Sequence, residues 1–453
     1  MHKAFTATAS APAKIHLFRP DEWESASGDL PAGLASLAKA NGFGGKTGEM
    51  VIAAGDDGAR EAVLYGLGAK PEALSLAGLA AKLPEGDYEI VRDAGLPMAH
   101  IAAGWADGAY RFDRYLKDKA SPPRLVIGEH EDADALDREA DAVSLLRDLV
   151  NTPAQHMGPA AIEQAVRQIG EQHGAEVSVT TGDELLDQNY PMIHAVGRAG
   201  PEAPRLIELT WGSEDHPELA LVGKGVAFDT GGLNIKGGAG MKLMKKDMGG
   251  SAHVIALSKL VMAAGLPVRL KLYVPAVENA ISGDAFRPSD ILSSRKGLTV
   301  EIDNTDAEGR LILGDALTRA CESDPDLLID FATLTGAARV ALGPDLAPFY
   351  TEDGDVADAI WAAGDISGDP VWRMPLWDPY KSMLKSSIAD IQNSGGSFAG
   401  SITAAIFLKQ FVDAKRWVHL DVWAWRKGKY GRPEGAAACG LRAVWTMLRT
   451  RYA

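Results

Sequence analysis

The sequence predicts two α/β domains, a smaller one over residues 1–135 and a larger one over 136–453, the larger with a mixed central sheet flanked by helices. Three observations lead there. The chain has 453 residues, more than one core ordinarily supports. Short apolar runs alternate with Gly-, Ala- and Asp-rich turns in the first third and with helix-period segments further on. Between the two regimes lies an acidic stretch, Glu129-His130-Glu131-Asp132-Ala133-Asp134, which reads as a solvated linker.

The elements follow in order. Residues 61–68 and 123–128 read as short strands between helices. The first domain shows no Asp, Glu, His or Cys cluster with ligand-like spacing, so it reads as structural or regulatory. A helix is expected near 140–150. Leu219-Ala220-Leu221-Val222 is a short buried strand entering a Gly-rich loop. Residues 249–264 carry helical apolar spacing through Val254, Ile255, Leu257, Leu260 and Val261. Val268, Leu270, Leu272 and Val274 alternate as a half-buried strand would. Residues 299–302 predict a strand, 311–321 a helix and 327–332 another buried strand.

Bulk chemistry narrows the function classes. A net charge of −15 argues against nucleic acid and anionic membrane as partners, since both reward clustered Lys and Arg. Two distant cysteines, Cys321 and Cys439, exclude a disulfide framework and a thiolate zinc cluster, and read as small buried hydrophobes. The N-terminal segment lacks the apolar core of a signal peptide, and no run reaches membrane-spanning length, so a soluble cytoplasmic protein is expected.

The chemistry is concentrated in two segments. Asn304-Thr305-Asp306-Ala307-Glu308-Gly309-Arg310-Leu311 directly follows a predicted strand. On an extended backbone Asp306, Glu308 and Arg310 would share one face at a strand end, where α/β folds place ligands. Adjacent carboxylates repel, and a cation between them relieves the repulsion. An arginine-neutralised surface turn is the plainer reading of this octapeptide alone. The second segment, 222–232, presents Lys224 and Asp229 before a Gly pair, and continues through Lys236 to Asp247. Asp247 alone reads as a cap or dipole partner of the helix starting near Gly249. Together the segments supply four carboxylates, two candidate lysines and an arginine. A two-metal hydrolytic site needs bridging carboxylates around ions roughly 3.5–4 Å apart, plus a cationic group for the carbonyl oxygen.

These spellings resemble one family closely. N-T-D-A-E-G-R-L at 304–311, V-G-K-G-x-x-F-D-T-G-G at 222–232 and M-K-x-D-M-G-G at 244–250 are similar to the metal-site segments of leucyl (cytosol) aminopeptidases. A-T-L-T-G-A at 332–337 and N-T-P at 151–153 also resemble family segments. The similarity spans roughly residues 140–445 and is loose before that. It implies a metal-dependent aminopeptidase releasing N-terminal residues, leucine-like by family expectation, from short peptides. Asp229, Asp306 and Glu308 would hold the more exchangeable ion; Lys224, Asp229, Asp247 and Glu308 would hold the tighter one. Lys236 would polarise the scissile carbonyl, and Arg310 would bind a bicarbonate acting as general base. Thr333, Leu334 and Gly336 would contact the peptide through their backbones, and Met244 would line the pocket for the first side chain. The resemblance further implies a homohexamer with enclosed active sites. The mixed ligand set points to Zn²⁺ or Mn²⁺.

Other signals weigh less. No HExxH pair occurs among the ten histidines, and Gly223-Lys224-Gly225 lacks the Ser or Thr of a phosphate loop. His419, in an apolar run, reads as a core histidine. After His419-Leu420-Asp421 the family usually continues with Ile-Ala-Gly, whereas this chain has Val422-Trp423-Ala424-Trp425 and then a Lys/Arg/Gly-rich stretch to Pro433. The two indoles would either narrow the specificity pocket or fill core. Two competing functions remain at this stage: a hexameric scaffold or DNA-binding regulator, against which the acidic charge and intact ligand set argue, and a two-metal phosphoester hydrolase, which would not need the 332–337 segment.

Overall fold

The computed structural model describes residues 1–55, 58–128, 130–428 and 434–453. The chain divides into two compact units: Met1–Ser144 with the described part of Arg426–Gly435, and Leu145–Trp425 with Ala436–Ala453.

In the first unit six strands form one sheet: β1 (Phe5–Thr6), β2 (Ala13–Phe18), β3 (Met50–Ala54), β4 (Arg60–Gly66), β5 (Gly86–Arg92) and β6 (Pro123–Val126). Their order is β1-β6-β5-β2-β4-β3, parallel except for the β3–β4 pair. Ile15, Leu17, Val63, Tyr88 and Trp105 are fully buried in its core, and the Trp105 indole donates to the Pro123 carbonyl. Of the acidic stretch read as a linker, Glu129 lies outside the described residues, and the helix Ala133–Asn151 begins inside it. The charges there mask an apolar stripe, Ala133, Leu136 and Ala140, which packs on this core at helical spacing.

The second unit is built on a mixed nine-stranded sheet. Its strands are β7 (Glu176–Thr181), β8 (Arg205–Trp211), β9 (Glu218–Gly223), β10 (Gly225–Asp229) and β11 (Arg269–Asn279), joined by β14 (Leu327–Ala332), β15 (Ala347–Tyr350), β16 (Val371–Arg373) and β18 (Trp417–Asp421). A separate three-stranded sheet holds β12 (Ile291–Ser293), β13 (Thr299–Glu301) and β17 (Ile391–Gln392). The large sheet runs β16-β15-β18-β14-β9-β11-β8-β7, with β10 beside the far end of β11. The alternation expected over 268–274 holds only at the start of β11; every residue from Leu272 to Val277 is buried. The reason is position: β11 is internal, paired with β8, β9 and β10, and packed by the helices Gly249–Ala263 and Gly309–Cys321. Cys439 is buried as expected, Cys321 is half-buried, and neither is in a disulfide.

Candidate active site

The site begins where parallel strands end together. Phe331 of β14 pairs with Gly223 of β9, and Ala332 pairs with Asp421 of β18, so Lys224, Thr333 and Asp421 emerge side by side at the carboxyl edge. The next strand, β10, brings Asp229 opposite Asn279 of β11. After Asp229 the chain reverses through Gly231 at φ +86°, a left-handed conformation that glycine adopts without strain, and the Gly231 amide donates to Asp229 Oδ1 at 2.8 Å.

Asp247 lies on a short 3₁₀ helix, Met244–Met248, that leads into the helix Gly249–Ala263. The capping reading of Asp247 fails, because that helix has no side-chain cap. Its carboxylate instead meets the Lys224 ammonium at 2.6 Å and accepts the Thr333 hydroxyl at 2.8 Å. Both ends of the Lys224–Asp247 pair are buried.

The octapeptide 304–311 is not extended, which corrects the shared-face expectation for Asp306, Glu308 and Arg310. Residues 303–308 form a turn after β13, a strand of the small sheet, and the helix Gly309–Cys321 starts immediately. Glu308 already has right-handed helical dihedrals, φ −74° and ψ −35°. The carboxylates still converge, because tertiary hydrogen bonds shape the turn. Gly309 at the helix start leaves room for the Lys224 side chain: a Cβ there would sit 2.4 Å from Lys224 Cε and displace it. Lys224 Nζ thereby passes within 2.9 Å of Glu308 Oε1, while Lys236 Nζ reaches Asp229 Oδ2 at 2.7 Å and pairs with Asp306.

The electrostatics are those of charges withdrawn from water. Burial, with Asp229 adding repulsion, pushes the Glu308 carboxyl up to about 8 despite Lys224 nearby. Burial and Asp229 likewise raise Asp306 to about 6. For Lys224 burial works to lower the pKa, but Asp247, Glu308 and Asp229 outweigh it and the amine is raised. Lys236 is raised on the same balance, through Asp229 and Glu308. Asp247 moves the other way, since Lys224 and Lys246 overcome its burial.

Asp229, Asp306 and Glu308 each offer a carboxylate oxygen within 4.8 Å of the others, the spacing a shared cation needs. Glu308 Oε1 is shielded from solvent yet receives no aligned hydrogen bond. Oxygen donors with one lysine nitrogen, once the ion displaces the Lys224 proton, suit a borderline or hard divalent ion. The donor set therefore fits a divalent metal. The Arg310 guanidinium is buried and donates to the Asn393 carbonyl at 2.7 Å, with its pKa lowered to about 10 by burial. Met244 is buried on the Asp247 helix, Thr333 accepts from Lys224 through its carbonyl at 3.3 Å, Leu334 is half-buried, and Gly336 is exposed at the start of the helix Gly336–Leu342.

Sequence reasoning missed the residues that hold these groups in place. Asn393 is fully buried; its Oδ1 accepts from the Asp303 and Asn304 amides, and its Nδ2 donates to the Asn304 and Ala307 carbonyls. Asn279 donates to Asp229 Oδ1 and to the Thr305 carbonyl. Asp421 accepts from the Leu334 and Thr335 amides and the Thr335 hydroxyl. None of these residues belongs to a spaced motif; the one available signal was Asp421 at the end of a fully buried strand that is apolar apart from His419. His419 is a core histidine, paired through Nδ1 with Asp330 at 2.6 Å. Trp425 is buried and Trp423 half-buried; from residue 429 to Pro433 the basic stretch lies outside the described residues.

Comparison with known proteins agrees with this geometry. The profile of the cytosol aminopeptidase family, catalytic domain, matches residues 144–445, and that of the family's N-terminal aminopeptidase domain matches 14–128. A probable cytosol aminopeptidase of Stenotrophomonas maltophilia is 39% identical over 446 residues, covering 91% of this chain and 90% of that protein. The crystal structure of cytosol aminopeptidase from Coxiella burnetii superposes with a TM-score of 0.93 at 41% identity, covering 98% of each chain. The bottromycin maturation enzyme BotP, solved in complex with Mn, gives 0.88 at 31% identity over 98% of this chain and 100% of its own. By sequence and by fold, over both units, the chain belongs to the cytosol aminopeptidase family.

Proposed function

We propose that this chain, a metallo-aminopeptidase by its family, removes single N-terminal residues from short peptides at a site for two divalent ions held by Lys224, Asp229, Asp247, Asp306 and Glu308. One observation carries the reading: buried carboxylates and two lysines converge at the carboxyl edge of the sheet, in a chain whose relatives are aminopeptidases. Asp229 and Glu308 would serve both ions, with Lys224 and Asp247 completing the set for one and Asp306 the set for the other. Bound there, the ions supply Lewis acidity and a water acidified to near neutral pH.

The chain's own residues do the rest. Lys236 keeps its proton beside Asp229 and Asp306 and presents an ammonium to the carbonyl oxygen as negative charge develops. Arg310 would hold a bicarbonate, which would supply a general base beside the site. The backbones of Thr333, Leu334 and Gly336 align the peptide, and Met244 lines the pocket for its first side chain. Zn²⁺ or Mn²⁺ is the expected ion; BotP, a relative, is solved with Mn. We further read the enzyme as a cytoplasmic homohexamer. No helix among the described residues is long and apolar enough to cross a membrane.

The test is cleavage of an unblocked aminoacyl anilide after exhaustive chelation, and again with Zn²⁺, Mn²⁺ or Mg²⁺ restored. Loss on chelation with recovery on restoration supports the reading. Full activity in the chelated protein overturns it.

A further inference from the structure

The two tryptophans that follow Asp421 each carry a cation from a neighbouring element. Lys245 Nζ lies 5.5 Å from the Trp425 ring centre, and Lys246 Nζ lies 4.4 Å from that of Trp423. The Arg339 guanidinium stands closer still, over the Trp423 ring at 3.9 Å from its centre, within cation–π contact. Lys246 is also 3.5 Å from Asp247 Oδ1, so a single side chain separates the Trp423 indole from that carboxylate. Arg339 sits three residues beyond Gly336 on the helix Gly336–Leu342, about one turn from the loop read as holding the peptide. The next residue, Ala424, presses on the same region: a Cβ on Gly249 would lie 2.5 Å from the Ala424 methyl and 3.0 Å from Thr333 Cγ2.

The two cations on Trp423 differ in what they have left to give. Lys246 is buried and pairs with Asp247. Arg339 is exposed and, among the described residues, its side chain has no carboxylate partner and no hydrogen bond. A guanidinium that meets a ring with its flat face keeps its N–H donors directed outward in the plane. An arginine held in one orientation is pre-organised to grip a carboxylate with two parallel hydrogen bonds.

We propose that Arg339, laid on Trp423, is a specificity residue that binds a carboxylate of the peptide substrate. The proposal rests on the aminopeptidase reading above. A peptide offers the group in two places, the acidic side chain of its first residue or the C-terminal carboxylate of a dipeptide.

The experiment uses the metal-loaded full chain and two pairs of substrates. Glutamyl- and leucyl-aminomethylcoumarin differ in the first side chain; Leu-Gly and Leu-Gly-amide differ in the C-terminal charge. In Arg339→Gln the kcat/KM ratio within one pair, charged over neutral, is expected to fall at least roughly tenfold, the scale of a lost charge-assisted hydrogen bond. The pair that responds identifies the carboxylate. Arg339→Lys keeps the charge without the fork and is expected to fall between Gln and the wild type. Trp423→Leu removes the platform and is expected to shift the same ratio in the same direction. Turnover with both ratios unchanged across the variants overturns the proposal alone. No turnover of any substrate by the metal-loaded wild type overturns the aminopeptidase reading, and this one with it.

Discussion

Asn279 and Asp229 face each other across the β10–β11 pairing, and the Asn279 amide donates to Asp229 Oδ1 at 2.8 Å. The same amide nitrogen reaches the Thr305 carbonyl at 3.1 Å, so one side chain ties a carboxylate of the large sheet to the turn carrying Asp306 and Glu308. Asp229 is one of the two residues both ions would share, and the hydrogen bond leaves its second oxygen turned toward Lys236. Outer hydrogen bonds of this sort fix the orientation of a ligand and its donor strength. Asn279→Ala keeps the backbone carbonyl that receives Thr230 but removes both amide bonds. The concentration of Mn²⁺ giving half-maximal activity is expected to rise about 10–100-fold. An unchanged metal titration would show that the turn holds Asp229 unaided.

Lys236 should separate catalysis from metal binding. It is half-buried beside Asp229 and Asp306, and those charges keep it an ammonium. Lys236→Ala is expected to lower kcat by about 10²–10³-fold, the cost of one donor to a developing oxyanion. Metal content after dialysis is expected to stay close to the wild-type value. Metal loss in step with activity would instead make Lys236 part of the ion's support.

Stability should fall on the acid side through His253. Its Nδ1 donates to the Gly249 carbonyl at 2.6 Å and its Nε2 accepts the Cys439 amide at 3.1 Å, an arrangement that needs the neutral ring. Burial lowers its pKa from 6.5 to about 4. Between those values the unfolded chain binds a proton that the folded chain does not, so stability is complete above 6.5 and is lost as pH falls toward 4. This one group accounts for about 2 kcal/mol between pH 7 and pH 5. Urea midpoints of the wild type and His253→Gln, taken at both pH values and one protein concentration, check it. The gap between the two midpoints is expected to shrink in the variant. An equal gap in both proteins would assign the acid sensitivity elsewhere.

Lys224, Asp229, Asp247, Asp306 and Glu308 stood out in the sequence as charged residues gathered in short segments, and their assignment to metal ions came from the resemblance to leucyl aminopeptidases. What the spacing left out was how the segments meet. An extended 304–311 was a fair inference from a preceding strand, but the helix at Gly309 starts too early for it, and Thr305 ties the turn to Gly231 and Asn234 instead. Asn279 reaches Thr305 across 26 residues, Asn393 reaches Asp303 across 90 and Asp421 reaches Leu334 across 87, and a polar residue at a strand end carries no local mark of its distant partner. The early start of the helix at Ala133 was hidden for a different reason. Its exposed face is acidic enough to resemble a linker, while the stripe beneath it is only three small or branched side chains wide.

Asp421 offers the sharpest test of how the peptide-binding loop is held. Its Oδ1 accepts the Leu334 and Thr335 amides at 3.0 and 3.1 Å, and its Oδ2 accepts the Thr335 and Ser401 hydroxyls. The loop that would align the substrate is thus pinned through its own backbone, with the Leu334 N–H committed inward. Asp421→Ala leaves two poorly solvated amides unpaired, at about 1–3 kcal/mol apiece. The loop is expected to relieve that cost by moving, which misplaces the carbonyls and amides on which the peptide would lie. KM for a Leu-containing tripeptide is expected to rise about tenfold or more, while metal affinity stays within about twofold. Asp421→Asn keeps an Oδ1 acceptor for both amides, and the hydroxyls can turn to accept from its Nδ2, so KM is expected to recover most of the way. Equal damage from Ala and Asn, or a loss confined to thermal stability with KM untouched, would mean that Asp421 supports the β18 end of the sheet and not the loop.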